Sequence, residues 1–187
     1  AGIAPTDRAL EVSGLQKVAH EETAQIKNFD REGVVPVPST IHPDRPMYLA
    51  KPLFEADLVI NLPKLKTHMS TIYTGANKNL FGCIPGLRKA EYHKLAPTPR
   101  ELGRVLLDIH RSTPVALHIM DGIIAMDGTG PTSGHVYPAQ KIILSTDPLA
   151  LDTAATAMIG LDIAGLPFFD IARTQYPGCL DLKTINI

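Results

Sequence analysis

The sequence predicts an α/β protein in which a mostly parallel, Rossmann-like sheet is covered by helices on both faces. Three apolar runs, "DLVINL" (57–62), "VALHIMDGII" (115–124) and "KIILST" (141–146), are typical of strands that are buried on both sides of a sheet. Helical patterns alternate with these runs, and such alternation indicates a parallel sheet. The 187 residues are expected to form one α/β domain, 1–187.

The first third of the chain predicts three short elements. Residues 5–21 predict a helix that Thr6 caps and whose apolar stripe is interrupted by Gly14. Residues 33–39 predict an extended piece at an edge, because proline cannot donate to a strand ladder. Residues 48–56 predict a short helix.

The clearest helix is predicted over residues 98–112. Thr98 is its cap, Pro99 occupies the first helical position, and Glu101 has the spacing of a capping box. The segment therefore carries its own start signal.

The end of the chain predicts two helices and a strand. Asp147 and Pro148 begin the first helix, and Gly160 ends it. Residues 167–177 predict the second helix, and residues 182–187 predict the strand.

Composition places the chain among ordinary globular proteins, with 44% hydrophobic residues, 20% charged residues and a net charge of −1. No apolar run reaches the roughly 18 residues that cross a bilayer, and no leader pattern is visible, so a cytoplasmic location without membrane partners is expected. The two cysteines form no CxxC pair, and no short-range ligand spacing predicts a metal site or an iron–sulfur cluster.

The charge is unevenly distributed along the chain. Residues 64–94 contain six basic side chains and one acidic side chain, whereas the rest of the chain has twelve basic and eighteen acidic ones. A local basic patch favours a small anionic ligand over nucleic acid, since nucleic-acid binders usually carry a domain-wide basic excess. The absence of tryptophan also argues against base stacking.

Polar side chains follow each of the three predicted strands. Lys64, Lys66 and His68 follow the first strand, Asp121 follows the second, and Asp152 lies in the helix after the third. Ligands of open parallel sheets bind beyond the carboxyl ends of the strands. These groups are therefore expected to converge at one edge, provided that all three strands are parallel.

Each of these residues also has a purely structural interpretation. The lysines can be solvated loop residues, Asp147 can be only a helix cap, and Asp121 can form a turn. Asp152 lies among apolar residues and is expected to be buried with a partner, for which a lysine is the natural candidate. That ion pair can be structural or catalytic. His118 is interpreted as a hydrogen-bonded core histidine.

The loop "GTGPTSG" (128–134) lacks the spacing and the following helix of a dinucleotide-binding loop. Its glycines can still offer backbone N–H groups to an anion as a nest.

Five motifs resemble the family known as domain of unknown function 362: "ADLVINLPKLKTH", "TGANKNLFG", "YH" at 92–93, "DGIIAMDGTGPTSG" and "STDPLALDTAA". The resemblance runs from about residue 6 to the end. It implies a site at Lys64, Lys66, His68, Thr74, Lys78, Asn79, His93, Asp121, Gly128, Gly130, Asp147 and Asp152. Asn77 departs from the small aliphatic residue expected before Lys78.

The family also implies what accompanies such a domain. Many members carry four-cysteine [4Fe–4S] segments, which this chain lacks. Members usually begin with a further strand, so the resemblance implies a domain that is truncated at its N-terminus.

Two classes of function remain. In the first, lysines 64, 66 and 78 hold a phosphate- or carboxylate-bearing ligand, His68 or His93 exchanges a proton, and Asp121 or Asp152 orients a base or a lysine. In the second, the protein is a non-catalytic module that docks a ferredoxin-like iron–sulfur redox partner or a cofactor. A concave pocket at the strand ends favours the first class, and lysines on an open surface around an apolar centre favour the second.

Overall fold

The computed structural model describes residues 5–86 and 88–186. Its strands are β1 (Val34–Val37), β2 (Met47–Ala50), β3 (Val59–Asn61), β4 (Lys64–His68), β5 (Ile72–Thr74), β6 (Val115–Asp127), β7 (His135–Tyr137) and β8 (Lys141–Ser145). Its α-helices are α1 (Thr6–Val12), α2 (Leu15–Glu21), α3 (Pro52–Glu55), α4 (Ala76–Asn79), α5 (Arg88–Leu95), α6 (Pro99–Ser112), α7 (Pro148–Met158) and α8 (Asp170–Gln175). Short 3₁₀ turns follow α4 and flank α8.

The long strand β6 organises a mixed sheet that has six strands in the described residues. β3 and β4 run parallel to β6, one after the other along the same side, and β5 pairs with β4. β8 and β7 line the other side of β6 and run antiparallel to it. β1 and β2 form a separate antiparallel pair. The predicted α/β class, a Rossmann-like sheet flanked by helices, is confirmed.

The expectation that the strand over 141–146 is parallel to its neighbour is wrong. Ser145 pairs with His118 and Lys141 with Gly122, so β8 runs antiparallel to β6. A parallel connection needs a crossover, usually a helix. Residues 128–140 contain the short strand β7 and no helix, and they return the chain directly along β6.

The first predicted helix is two helices. Gly14 adopts a left-handed conformation, with φ of +78°, and separates α1 from α2. Thr6 does not cap α1, because its hydroxyl donates to Asp30 at 2.7 Å. The predicted apolar stripe is exposed, with Val12 at 79% and Leu15 at 58%. This pair of helices therefore adds little to the core.

The local start signals of the later helices are confirmed. Thr98 and Glu101 form the capping box of α6. The carboxylate of Asp147 accepts hydrogen bonds from the first backbone N–H groups of α7. Gly160, with φ of +75°, follows the end of that helix.

Other predicted boundaries shift. Residues 47–56 contain the strand β2 before the short helix α3, and residues 167–169 are a 3₁₀ turn before α8. The strand predicted over 182–187 is wrong for residues 182–186, which contain a turn and a bend and no strand, and residue 187 lies outside the described part.

The two faces of the main sheet differ in burial. Leu65, Met120 and Leu149 belong to one buried core, in which each is at most 1% exposed. The opposite face is apolar but largely uncovered in the described structure, so the expectation that these strands are buried on both sides is wrong. Ile60, Leu117, Ile119, Ile142 and Leu144 form this apolar face, where cross-strand pairing aligns them in rows. Ile142 and Leu144 are 56% and 58% exposed.

Candidate basic anion site

The strand β4 carries the first basic residues of the site. Lys64, Lys66 and His68 were predicted in a loop after the first strand, but they alternate along β4. The pattern K-L-K-T-H has the two-residue period of a strand, with Leu65 buried between the lysines. β5 pairs antiparallel with β4 and places Thr74 directly opposite Lys66.

The glycine-rich loop packs against β4. The carbonyl oxygen of Gly130 accepts from the backbone N–H of Met69 at 3.1 Å, and that of Gly128 accepts from the Thr67 hydroxyl at 2.8 Å. A Cβ at Gly130 would lie 2.0 Å from the carbonyl oxygen of Thr67, so this close approach requires glycine.

The prediction that the glycine-rich loop offers free N–H groups as a nest is wrong for Gly128 and Gly130. The Gly128 N–H donates to the Asp127 carboxylate at 2.7 Å, and the Gly130 N–H donates to the Gly128 carbonyl at 2.8 Å. The loop instead places the carbonyl oxygen of Pro131 at 3.4 Å from the Lys66 ammonium.

Asp152 is fully buried and anchors the start of α4. Its carboxylate accepts from the hydroxyl of Tyr73 at 3.0 Å and from the backbone N–H groups of Ala76 and Asn77 at 2.7 and 3.0 Å. The Asn77 side-chain amide donates a fourth bond at 3.0 Å. A Cβ on Gly75 would lie 2.0 Å from this carboxylate.

The expectation that Asp152 is buried with a partner is confirmed, but the lysine considered as that partner is wrong. The four donors that hold it are amides and a phenol, and no lysine of the described residues pairs with it. Burial raises the pKa of Asp152 to about 6, and the hydrogen bonds from Asn77, Ala76 and Tyr73 act in the opposite direction.

A second network joins the exposed Asn79 at the end of α4 to the buried residues Asn61 and His118. The Asn79 amide donates to the Asn61 side-chain oxygen at 2.7 Å. The Asn61 amide in turn lies 3.0 Å from the Ala76 carbonyl oxygen and 2.9 Å from Nδ1 of His118. His118 is therefore a hydrogen-bonded core histidine, as interpreted, and Asn79 is engaged in holding α4 against β3.

Lys78 of the anchored helix interacts electrostatically with three other basic side chains. We call Lys66, His68, Lys78 and His93 the basic cluster. Burial and the neighbouring Lys66 lower the pKa of Lys78 to about 8. Burial, reinforced by Lys78, Lys66 and His93, lowers the pKa of His68 to about 4. Burial and Lys78 lower the pKa of His93, and burial lowers that of Lys66.

No carboxylate of the described residues lies within 4.0 Å of a nitrogen atom of the basic cluster. Half-buried cations without an acid partner are unusual, because burial disfavours the charged form. The cluster is therefore a region of positive potential that its own protein surroundings leave unneutralised.

The two histidines of the cluster have defined surroundings. Nδ1 of His68 accepts from the backbone N–H of Ser70 at 3.1 Å, so the neutral ring carries its proton on Nε2. The His93 ring packs edge-on against Phe81, with 5.1 Å between centroids.

A buried hydroxyl without a partner lies beside the cluster. Thr74 is 8% exposed, and its Oγ1 has no hydrogen-bond partner among the described residues. Directly opposed residues of paired strands project to the same face, so Thr74 and Lys66 share a face. A ligand oxygen would satisfy this hydroxyl.

Lys64 and Asp121 differ from the cluster, because each neutralises the other. Their ammonium and carboxylate are 2.6 Å apart, and both side chains are about half exposed. The Lys64 hydrogen bond lowers the pKa of Asp121. Asp121 was expected just beyond a strand, but β6 continues to Asp127, so Asp121 lies within the strand.

The sequence interpretation missed Tyr73, Asn77 and the strand pair that brings them to Asp152. Residues 71–79, TIYTGANKN, mix polar and apolar side chains, so no local pattern indicated these two residues as partners of Asp152. No group of three or more histidine, cysteine or acidic side chains suited to a metal ion occurs in residues 5–86 and 88–186. Within the same ranges, every helix is too short or too polar to span a bilayer.

Comparison with known proteins gives a family and a relative. The profile of the family described as a domain of unknown function (DUF362) matches residues 2–157. A thylakoid-associated protein of Synechocystis sp. (strain ATCC 27184 / PCC 6803 / Kazusa) is 40% identical over 120 residues, which are 64% of this chain and 37% of the relative. The match thus covers well under two thirds of that relative's length. No solved structure matches the chain.

Proposed function

Because the chain belongs to the family described as a domain of unknown function (DUF362), whose name carries no activity, we propose a function from the geometry of the site. The basic cluster binds a small anionic ligand that bears a phosphate or a carboxylate. One observation carries this proposal: four half-buried or exposed basic groups converge without an acid partner among the described residues.

The pKa shifts give the energetic reason. The protonated forms of Lys78 and His68 are disfavoured by burial and by the neighbouring cations. A bound anion would reverse both effects, because an opposite charge nearby favours the protonated form. The free energy released by that reversal is available for binding.

The side chains have distinct roles in this proposal. Lys66 and Lys78 hold the anion, the Nε2–H of His68 and the Thr74 hydroxyl donate to its oxygens, and His93 lies within electrostatic reach of Lys78. His68 and His93 are the groups that could exchange a proton with a reacting ligand. Asp152 and Asn79 position the helix that carries Lys78. Lys64, Asp121, Gly128 and Gly130 shape the surroundings.

The cavity next to Lys66 is not the proposed anion site. It has a volume of about 270 Å³ and is lined by Lys66, Asp127 and mainly apolar neighbours, and the lining includes none of His68, Lys78 and His93. The proposal therefore depends on the basic cluster and not on this cavity.

Calorimetric titration with sulfate and with phosphate tests the proposal. Lys66→Met together with Lys78→Met removes two charges of the cluster and keeps most of the packing of the side-chain stems. The matched control, Lys89→Met with Lys94→Met, removes two charges from the same basic segment. The proposal expects binding by the parent and the control and its loss in the cluster variant. Equal binding by all three, with all three folded, would refute it.

A second candidate function is the docking of a ferredoxin-like redox partner. The observation that favours it is the exposed apolar face, at whose rim Asp121 separates Lys64 from Ile142 in one row across the sheet, so that this rim carries an ion pair. An exposed apolar patch with a polar rim is typical of protein–protein interaction sites. Titration of ¹⁵N-labelled protein with a reduced-state ferredoxin would show shifts along β8 for docking, and none if only the small-anion site operates.

We also propose a cytoplasmic location. The relative's name places that relative at thylakoids, and association with a membrane surface is the competing possibility. Fractionation of cells that express the tagged protein, with a salt wash of the membranes, distinguishes the two.

A further inference from the structure

Lys78 differs from the other lysines of the basic segment in how its amine is held. Lys64 lies 2.6 Å from the Asp121 carboxylate. Lys66 approaches the Pro131 carbonyl oxygen at 3.4 Å. Lys78 has no acceptor within hydrogen-bond distance among the described residues, and it is half-buried beside a second cation.

The backbone under Lys78 is fixed at both ends. Before it, Asp152 holds the N–H groups of Ala76 and Asn77 at 2.7 and 3.0 Å. After it, the Asn79 amide donates to Asn61 at 2.7 Å. These contacts fix the backbone position from which the Lys78 side chain extends, and a reacting group needs a fixed base of this kind.

We propose that Lys78 is an amine nucleophile that forms an imine with the aldehyde or ketone group of a small phosphate- or carboxylate-bearing substrate. The inference rests on the proposed anion site, in which Lys66 holds the anionic group and leaves the Lys78 amine facing the carbonyl carbon. Lysines next to another cation, or desolvated, are the ones that act in this way in proteins.

The step balances without a further reagent. The lone pair of the neutral amine attacks the carbonyl carbon, and the carbonyl oxygen takes a proton. The carbinolamine nitrogen then loses a proton, and the hydroxyl group, once protonated, leaves as water. Loss of the remaining N–H proton from the resulting iminium ion gives the imine, so the products are the imine and one water molecule. His68 and His93 are neutral at pH 7 because burial and the lysines lower their pKa, so they can accept and return these protons.

The test uses pyridoxal 5′-phosphate as a probe, because it combines an aldehyde with a phosphate. The folded protein is exposed to a limiting amount of probe at pH 7, reduced with borohydride and mapped by peptide mass spectrometry. Lys78 should be labelled at least about tenfold more than a lysine of ordinary pKa, since a larger fraction of its amine is neutral. Inorganic phosphate should suppress the label, and Lys78→Arg should remove it.

The outcome separates the two proposals. If sulfate binds but the label is spread over Lys64, Lys89 and Lys94 and spares Lys78, the nucleophile is refuted and the anion site stands. If sulfate does not bind and Lys78 is not labelled, both are refuted. If Lys78→Arg does not fold, the extent of Lys78 labelling in the parent protein still tests the nucleophile, because that measurement does not need the variant.

Discussion

The carboxylate of Asp152 lies 2.7 Å from the backbone nitrogen of Ala76, a residue 76 positions earlier in the chain. The helix that starts at Ala76 has no capping side chain of its own, because its N-cap residue is Gly75. α7 therefore supplies the cap of α4 through Asp152. This contact ties the helix that bears Lys78 to the core.

Replacing Asp152 should strongly destabilise the protein. Asp152→Ala leaves two backbone N–H groups, the Tyr73 hydroxyl and the Asn77 amide without their acceptor, and each buried unsatisfied donor costs about 1–3 kcal/mol. We expect a loss of about 3–5 kcal/mol in the free energy of unfolding, because partial relaxation and water entry reduce the sum. Urea denaturation followed by circular dichroism measures it.

Asp121→Ala is the matched control for that loss. It breaks the exposed ion pair with Lys64, and such pairs contribute about 0–1 kcal/mol. Similar small losses for both aspartates would mean that the hydrogen bonds of Asp152 contribute little to stability.

Gly130→Ala should displace the glycine-rich loop from β4. The new Cβ would lie 2.0 Å from the carbonyl oxygen of Thr67, which is backbone and cannot rotate away. We expect a loss of about 2 kcal/mol or more, of the size found for overpacked cores, together with weaker sulfate binding because Lys66 loses its neighbour Pro131.

Gly82→Ala is the comparison, since nothing lies within 4 Å of a Cβ at Gly82. Its unfolding free energy should change by less than about 1 kcal/mol. If Gly130→Ala binds sulfate and unfolds like Gly82→Ala, the loop does not support β4.

Features that depend on neighbouring residues could be predicted from the sequence. Thr98 and Glu101 are three residues apart and form a capping box whatever surrounds them. The apolar residues around Asp152 likewise indicated a buried carboxylate that needs partners. Both predictions needed only a few consecutive positions.

Features that depend on distant residues could not be predicted in this way. The donors to Asp152 come from the β5–α4 turn, about 75 residues earlier in the chain, and no local pattern connects them. The direction of β8 depends on the absence of a crossover helix, which the apolar content of residues 141–146 does not reveal. β4 was predicted as a loop because its basic residues are typical of exposed loops, although they recur with the two-residue period of a strand.

Two substitutions on the apolar face should leave the stability of the protein almost unchanged but reduce the binding of an apolar dye. Ile142→Lys with Leu144→Lys should change the unfolding free energy by less than about 1 kcal/mol, because both side chains are more than half exposed. The same double variant should reduce the fluorescence of an anilinonaphthalene sulfonate dye, which binds exposed apolar surface.

Leu149→Ala provides the contrast, because Leu149 is 1% exposed and its truncation should cost about 2–5 kcal/mol. A comparably large loss in the Ile142 and Leu144 variant would show that this face is covered in solution.

Sulfate binding should strengthen as the pH falls. Sulfate does not change its charge between pH 8 and 5, so any change in affinity comes from the protein. The pKa of Lys78 is about 8 and that of His68 about 4 in the empty site, and a bound anion raises both. Affinity should therefore decline as the pH rises through 8. It should increase again below about pH 6, where the histidine takes up a proton on binding.

Calorimetry in two buffers of different ionisation enthalpy measures that proton uptake directly, at constant ionic strength because salt screens the interaction. His68→Gln should remove the rise below pH 6 and leave the decline above pH 8, since glutamine does not titrate and Lys78 is unchanged. His42→Gln, at an exposed histidine outside the cluster, should behave like the parent. An affinity that is constant from pH 8 to pH 5, with no proton uptake, would place the sulfate away from His68 and Lys78. The convergence of the four basic groups would then have a purely structural origin.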